Sequence, residues 1–228
     1  MSERLLEVRD LRTSFRMRDG VVRAVDGATF GVDRGEVLGL VGESGCGKSV
    51  TSLSILRLIA PPGEITGGSV RFDGQELLTA SEAEMQKIRG NRIAMIFQQP
   101  NSSLNPVQRL ADQIGEVLRV HKGLDRKAAR NRGIELLEQV GIPDPARRAD
   151  AYPHEISGGM AQRVMIAMAL ACEPDPFDPM ERALLAAAPP RPALLMLARA
   201  ALAVTATLLS LAGSASWQAR RVGGLTRH

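Results

Sequence analysis

Residues 42–49, with the sequence GESGCGKS, are the segment best suited to bind phosphate. The spacing G-x-x-x-x-G-K-S, between an apolar strand pattern and a helix pattern, predicts a loop whose backbone N–H groups surround an anion, and this context disfavours a glycine-rich turn without a ligand. Lys48 would neutralise the β- and γ-phosphates of a nucleotide, and the Ser49 hydroxyl would bind Mg²⁺. The residues predicted to line this site are Gly42, Glu43, Ser44, Gly45, Cys46, Gly47, Lys48, Ser49 and Val50.

A second anion site is predicted at residues 156–163, ISGGMAQR, which we call the signature segment. Ser157 has the character of a helix N-cap, and the two glycines after it leave their N–H groups accessible. Because the chain has one nucleotide loop, the ligand of a second site would be the γ-phosphate of a nucleotide held by another subunit. A well-capped surface helix is the alternative for this segment. The residues predicted to act there are Ser157, Gly158, Gly159, Met160 and Gln162.

The sequence around both segments shows alternating strand and helix patterns, and the predicted elements would position the two segments. Apolar strand patterns lie on both sides of the phosphate loop, and helical periodicity dominates from residue 109 to residue 172. This order is typical of an α/β core with an inserted helical region. The predicted strands are 5–11, 28–33, 36–42, 68–74 and 92–98, and the first predicted helix runs from Lys48 to Ile59.

Three stretches together resemble the nucleotide-binding subunit of an ABC transporter, and most of all the peptide-importer group: residues 42–49, 96–107 and 152–175. The resemblance covers residues 1–175. It implies ATP and Mg²⁺ as cofactors and a P-loop NTPase core with a mostly parallel sheet and a helical subdomain at about residues 100–165. A P-loop kinase or GTPase is a distant alternative, because the signature segment has no role in those proteins.

The resemblance also implies roles for single residues. Gln98 would contact Mg²⁺ and the attacking water, although a glutamine taken alone is more often a surface amide. The SSLNP sequence at 102–106 resembles the stretch that peptide importers place at the coupling surface for their transmembrane subunits. Phe15 is the candidate for stacking on adenine, a contact worth about 1 to 3 kcal/mol per base, and an ordinary core position is an equal alternative for it.

The partners and location follow from the same resemblance. It implies a second ATP-binding subunit in a homodimer or heterodimer, transmembrane permease subunits and, indirectly, a solute-binding protein, with the chain peripheral at the cytoplasmic face of the membrane. The N-terminal residues MSERLLEVRD contain no apolar signal region. Residues 1–174 carry 23 basic and 22 acidic side chains, so no nucleic-acid surface is expected. Solute selection would lie in other subunits.

The resemblance stops near residue 175. In the family an apolar strand then ends in Asp-Glu, where the Asp holds Mg²⁺ through water and the Glu polarises the attacking water; a strand-end histidine follows later. Residues 176–192 cannot form that strand, because Pro176 and Pro179 remove ladder donors. The nearest imitation, ALLMLA at 193–198, is followed by Arg199 and Ala200 instead of acids. Because general-base assistance contributes about 10² to 10⁴-fold, we expect very slow hydrolysis.

The tail, residues 176–228, also differs in composition. It contains no lysine and is dominated by Ala, Leu, Arg and Pro, which is consistent with translation out of frame or a truncated gene copy. An apolar run ending in Asp-Glu in another reading frame beyond codon 174 would support the first origin, and its absence from both frames would refute it. The apolar stretch 193–213 is long enough to span a bilayer, but Arg199 interrupts it and an accidental apolar segment is the favoured interpretation.

Overall fold

The computed structural model describes residues 4–36, 38–43, 45–97 and 103–172, together with the backbone of three short strands further on. The chain divides into two compact units. The first consists of Met1–Arg89 and Ala200–His228, and the second of Gly90–Arg199. Among the described residues, no helix combines the length and the apolar character needed to cross a bilayer.

The first unit is built on an antiparallel sheet with the strand order β2-β1-β4-β5. Its fully buried side chains include Leu6, Leu11 and Phe72. Gly68 permits close approach between β4 and β1, because a Cβ at this position, where φ is +101°, would lie 2.6 Å from the Asp10 carbonyl oxygen. The strands are β1 (Arg4–Met17), β2 (Gly20–Asp33), β4 (Gly63–Phe72) and β5 (Gln75–Glu76).

Two helices accompany this sheet, α1 (Lys48–Ile55) and α2 (Glu82–Ile88). A buried hydrogen bond of 2.7 Å between Thr13 Oγ1 and Ser54 Oγ joins β1 to α1. The short buried strand β3 (Leu38–Val41) leads into the phosphate loop and pairs antiparallel with β9 (Gln218–Arg221), while β8 covers Leu202–Thr205.

The second unit is mainly helical. Its core is formed by apolar side chains of three long helices, which face one another in the way that the sequence periodicity predicts. The elements are β6 (Ile93–Ile96), α3 (Leu110–Lys122), α4 (Arg126–Gln139), α5 (Pro145–Arg148), a 3₁₀ turn at Pro153–Glu155, α6 (Gly158–Leu170) and β7 (Leu195–Ala198). The buried core residues include Leu110, Ile114, Leu118, Leu136, Leu137 and Val164.

The observed elements correct several predicted boundaries. Strands β1 and β2 have 14 residues each and are at least twice as long as the patterns at 5–11 and 28–33 indicated, because they continue into a hairpin that turns at Arg18 and Asp19. Helix α1 ends at Ile55 instead of Ile59, since Arg57 adopts a left-handed conformation with φ of +52°. The ladders whose register the described residues define are all antiparallel. The mostly parallel core sheet therefore stays a prediction.

Candidate functional site

The phosphate loop connects the buried strand β3 to the N-terminus of α1. Gly45 and Gly47 both have positive φ, at +86° and +92°, a conformation that glycine adopts without steric cost. A Cβ at Gly47 would lie 2.2 Å from the carbonyl oxygen of Ala24 on β2, so only glycine fits there. Within the part of the chain that the structure describes, no atom lies within 4 Å of the Cβ position of Gly45.

Lys48 closes the loop on itself. Its Nζ donates to the carbonyl oxygens of Gly42 at 2.7 Å and Glu43 at 2.6 Å, and it lies 3.3 Å from the sulfur of Cys46. The ammonium group is thus held at the centre of the loop by neutral partners. Since a cation forms stronger hydrogen bonds with an anion than with a carbonyl, a phosphate could replace these partners.

The start of α1 fits an anionic group. Gly47 precedes the helix and provides no side-chain cap, and the first N–H groups of a helix have no intrahelical acceptor. The helix dipole adds a partial positive charge at the same place. The residues of the loop therefore suit the phosphates of a nucleotide.

The remaining predicted loop residues differ in exposure. Glu43, Gly45 and Ser49 are exposed, and Val50 is half-buried; Ser44 lies outside the described residues. Ser49 lies in the first turn of α1, where its hydroxyl is accessible to a cation bound to a phosphate.

Thr51 is a structural residue of the site that sequence reasoning missed. Its N–H and its hydroxyl both donate to the carbonyl oxygen of Gly47, at 2.8 Å and 2.9 Å, and fix the junction of loop and helix.

Phe15 lies on β1 and is half-buried. It pairs with Val22 on β2 and Gly63 on β4. A Cβ at Gly63 would lie 2.6 Å from Phe15 Cε1, and equally close to Ile59 Cγ2, so the absence of a side chain at Gly63 makes room for the ring. The ring thus packs in the first unit, and stacking on adenine stays a prediction.

The signature segment lies in the second unit and begins α6. Ser157 is the N-cap, and its Oγ accepts a hydrogen bond of 3.3 Å from the N–H of Met160. Gly158 and Gly159 are exposed, and no atom of the described residues lies within 4 Å of either Cβ position. Gln162 is half-buried one turn further along the helix. The exposed glycines leave the helix N-terminus accessible, and the binding of an anion there stays a prediction.

Arg163 is a second residue that sequence reasoning missed. Its Nη1 donates to the carbonyl oxygens of Val140 at 3.1 Å and Gly141 at 2.8 Å, at the C-terminal end of α4. The acceptors are backbone carbonyls more than twenty positions earlier in the sequence, so no local residue pattern signals this anchor.

Gln98 lies outside the described residues, which end before it with β6 and Phe97. Strand β7 pairs with β6 antiparallel, with Ile96 opposite Leu195 and Ile93 opposite Ala198. The C-terminal end of β7 therefore lies beside the start of β6, away from the end that leads to Gln98.

A buried strand, a glycine loop with a central lysine and an uncapped helix define a P-loop nucleotide-binding protein. The family model described as ABC transporter matches residues 25–176, and the chain belongs to this ABC-type ATPase family.

The relatives are consistent with this assignment. The oligopeptide transport ATP-binding protein OppD of Bacillus subtilis is 54% identical over 172 residues, which cover 75% of this chain and 48% of that protein. The dipeptide transport ATP-binding protein DppD of Escherichia coli is 51% identical over 170 residues, which cover 75% of this chain and 52% of that protein. The chain thus spans about half the length of these relatives.

A solved structure is also similar. The dimeric post-hydrolysis structure of the ATP-binding cassette MJ0796 bound to ADP and Pi has a TM-score of 0.65 and 27% sequence identity. The match covers 74% of this chain and 70% of that one.

Proposed function

We propose that this chain is the ATP-binding subunit of an ABC-type peptide importer and that its capacity to hydrolyse ATP is impaired. The observation that carries the proposal is the phosphate loop, in which the Lys48 ammonium is held among loop carbonyls beside an uncapped helix N-terminus. The identity of 54% to an oligopeptide transport ATP-binding protein supports the peptide-importer class.

Each loop residue has a role in this proposal. The backbone of Gly42 to Gly47 and the first turn of α1 bind the phosphates, and Lys48 neutralises their charge. Ser49 and Gln98 bind Mg²⁺, which would stabilise negative charge on the phosphates when bound. Gln98 also orients the attacking water.

The partners are proposed by analogy with the relatives. A second ATP-binding subunit would place its nucleotide against Ser157, Gly158 and Gly159 of this chain, as the dimeric state of the similar cassette suggests. Met160 and Gln162 would flank that contact. Transmembrane permease subunits would bind near residues 102–106, with the chain at the cytoplasmic face of the membrane and a solute-binding protein acting indirectly.

Impaired hydrolysis is proposed from the tail. The ABC transporter match ends at residue 176, next to the change of composition at about residue 175. We therefore assign residues 1–175 to an incomplete ATP-binding domain, with its helical subdomain at about 100–165, and residues 176–228 to a non-homologous tail. The antiparallel pairing of β7 supports this division, because a parallel strand would be needed to carry acids to the Gln98 end of β6. A non-catalytic nucleotide-binding fragment is the second candidate, favoured by the same pairing.

The loop assignment is tested by replacing its lysine. Lys48→Ala removes the charge that neutralises the phosphates and is expected to abolish Mg-ATP binding, measured by isothermal calorimetry at one salt concentration. Lys127→Ala, which removes an exposed lysine of α4 in the other unit, is the matched control and should bind like the parent. Equal affinity of the parent and Lys48→Ala for Mg-ATP would refute the assignment.

A further inference from the structure

Asp150 joins three parts of the second unit through one carboxylate. Its Oδ1 accepts a hydrogen bond of 2.9 Å from Arg109 Nη1, immediately before α3, and its Oδ2 accepts one of 2.8 Å from Arg130 Nη2 on α4. Asp150 itself lies between α5 and the signature segment. We call these three residues the Asp150 cluster. The hydrogen bonds from Arg130 and Arg109 lower the pKa of Asp150, so the cluster stays ionised at neutral pH.

Two backbone hydrogen bonds reinforce the cluster on either side of Asp150. The N–H of Leu110 donates to the carbonyl oxygen of Ala151, and the N–H of Ala111 donates to that of Ala149, both at 3.0 Å. Helix α3 has no side-chain cap, so the segment 149–151 provides acceptors for its first N–H groups. The start of α3 and this segment are therefore held in register.

A series of side-chain and backbone contacts connects the Asp150 cluster to Ser157. The Arg109 guanidinium lies 5.9 Å from the centre of the Tyr152 ring, which stacks on His154 at 5.6 Å. The N–H of Tyr152 donates to Glu155 Oε2 at 2.7 Å and closes the 3₁₀ turn, after which Ser157 caps α6. These contacts connect the Asp150 cluster to the N-cap of α6.

On its other side the cluster is connected to an exposed loop. Gln113 on α3, only 4% exposed, accepts a hydrogen bond from the N–H of Asn105 and donates to the carbonyl oxygens of Asn105 and Gln108. Val107, at the tip of this loop, is 79% exposed. The buried amide of Gln113 therefore fixes loop 105–108 to the first turns of α3.

We propose that Asp150 is a positioning residue that transmits a displacement of loop 105–108 to the N-terminus of α6. The inference rests on the proposed function of the signature segment as a site for the partner's nucleotide. Exposed ion pairs contribute little to global stability, and Arg109, Asp150 and Arg130 are 48%, 45% and 40% exposed. We therefore expect substitution of Asp150 to have a small effect on global stability and a local effect at the start of α6.

Hydrogen exchange on the full chain without nucleotide tests this role. Asp150→Asn is expected to raise amide exchange several-fold at Met160 and Ala161, whose N–H groups donate to Ser157, and to leave the first unit unchanged. The charge-preserving Asp150→Glu should restore part of the protection. Asp144→Asn, an exposed aspartate just before α5, is the matched control and should behave like the parent. Should Asp150→Asn not fold, Arg130→Gln removes one arm of the cluster and predicts the same local increase at lower amplitude.

A double mutant tests whether the effect of loop 105–108 on the start of α6 passes through Asp150 or whether Asp150 only supports the local structure. Asn105→Ala removes the acceptor of the Val107 N–H and is expected to raise exchange at Met160 and Ala161 in the parent, but to add nothing when Asp150→Asn is already present. Unchanged exchange at Met160 and Ala161, a uniform increase over both units or an additive double mutant would each overturn the proposal. Failure of Mg-ATP to bind would refute the proposed function. The hydrogen-exchange result could still be interpreted, because it is measured without nucleotide.

Discussion

At the scale of single residues, the phosphate loop depends on two glycines with different surroundings. Gly45 and Gly47 share a left-handed backbone, but no described atom lies within 4 Å of the Cβ position of Gly45, whereas that of Gly47 lies 2.2 Å from the Ala24 carbonyl oxygen. The motif spacing alone treats both as equivalent. The contact with β2 distinguishes them, because it fixes where the loop meets the sheet of the first unit.

This difference gives a paired prediction. Gly45→Ala is expected to destabilise the chain only through the left-handed backbone, by about 1 to 2 kcal/mol. Gly47→Ala carries the same strain and also the clash at 2.2 Å, so it should lower the free energy of unfolding further and weaken Mg-ATP binding. Urea unfolding of both variants provides the measurement. Equal losses for the two would mean that β2 does not contact the loop.

At the scale of elements, the sequence predicts that a helix or strand exists, and which of the two it is, better than it predicts where the element begins and ends. The phosphate loop, α1 and the capped start of α6 follow from local residue types, and the structure has them where the sequence places them. The end of α1 does not follow from local residue types, because the residues after it contact Arg89, which directly follows α2 and whose guanidinium donates to the carbonyl oxygens of Leu56 and Arg57. The Asp150 cluster and Arg163 were equally hidden, since their partners are distant in sequence.

Ser157 caps α6 and is also proposed to face the partner's nucleotide, and substitutions can separate these two roles. Ser157→Ala removes the acceptor of the Met160 N–H and should cost about 1 kcal/mol in urea unfolding. Ser157→Asp keeps a capping oxygen and a charge favourable to the helix N-terminus, so its stability should equal that of the parent. In a hydrolysis-competent dimer the same aspartate should repel the partner's γ-phosphate. A destabilised Ser157→Asp would contradict the capping role.

At the scale of the whole molecule, the chain combines a family match over residues 25–176 with a tail of different composition. The P-loop class could be predicted from sequence because its motifs are local. The antiparallel sheet of the first unit could not, since its order depends on pairing between strands far apart, such as β1 with β4. Binding and hydrolysis should separate in such a chain, because the binding groups precede the break and the acids that hydrolysis needs would follow it.

Phosphate release from saturating Mg-ATP by the purified full chain tests this separation most directly. We predict calorimetrically detectable ATP binding with turnover no higher than that of Lys48→Ala. Replacing residues 176–228 by a family-like strand ending in Asp-Glu and its downstream loops should raise turnover, since water activation contributes about 10² to 10⁴-fold. Robust turnover by the unaltered chain that disappears in Lys48→Ala would contradict the account, because it would mean that carboxylates of the tail such as Asp178 or Glu181 reach the nucleotide.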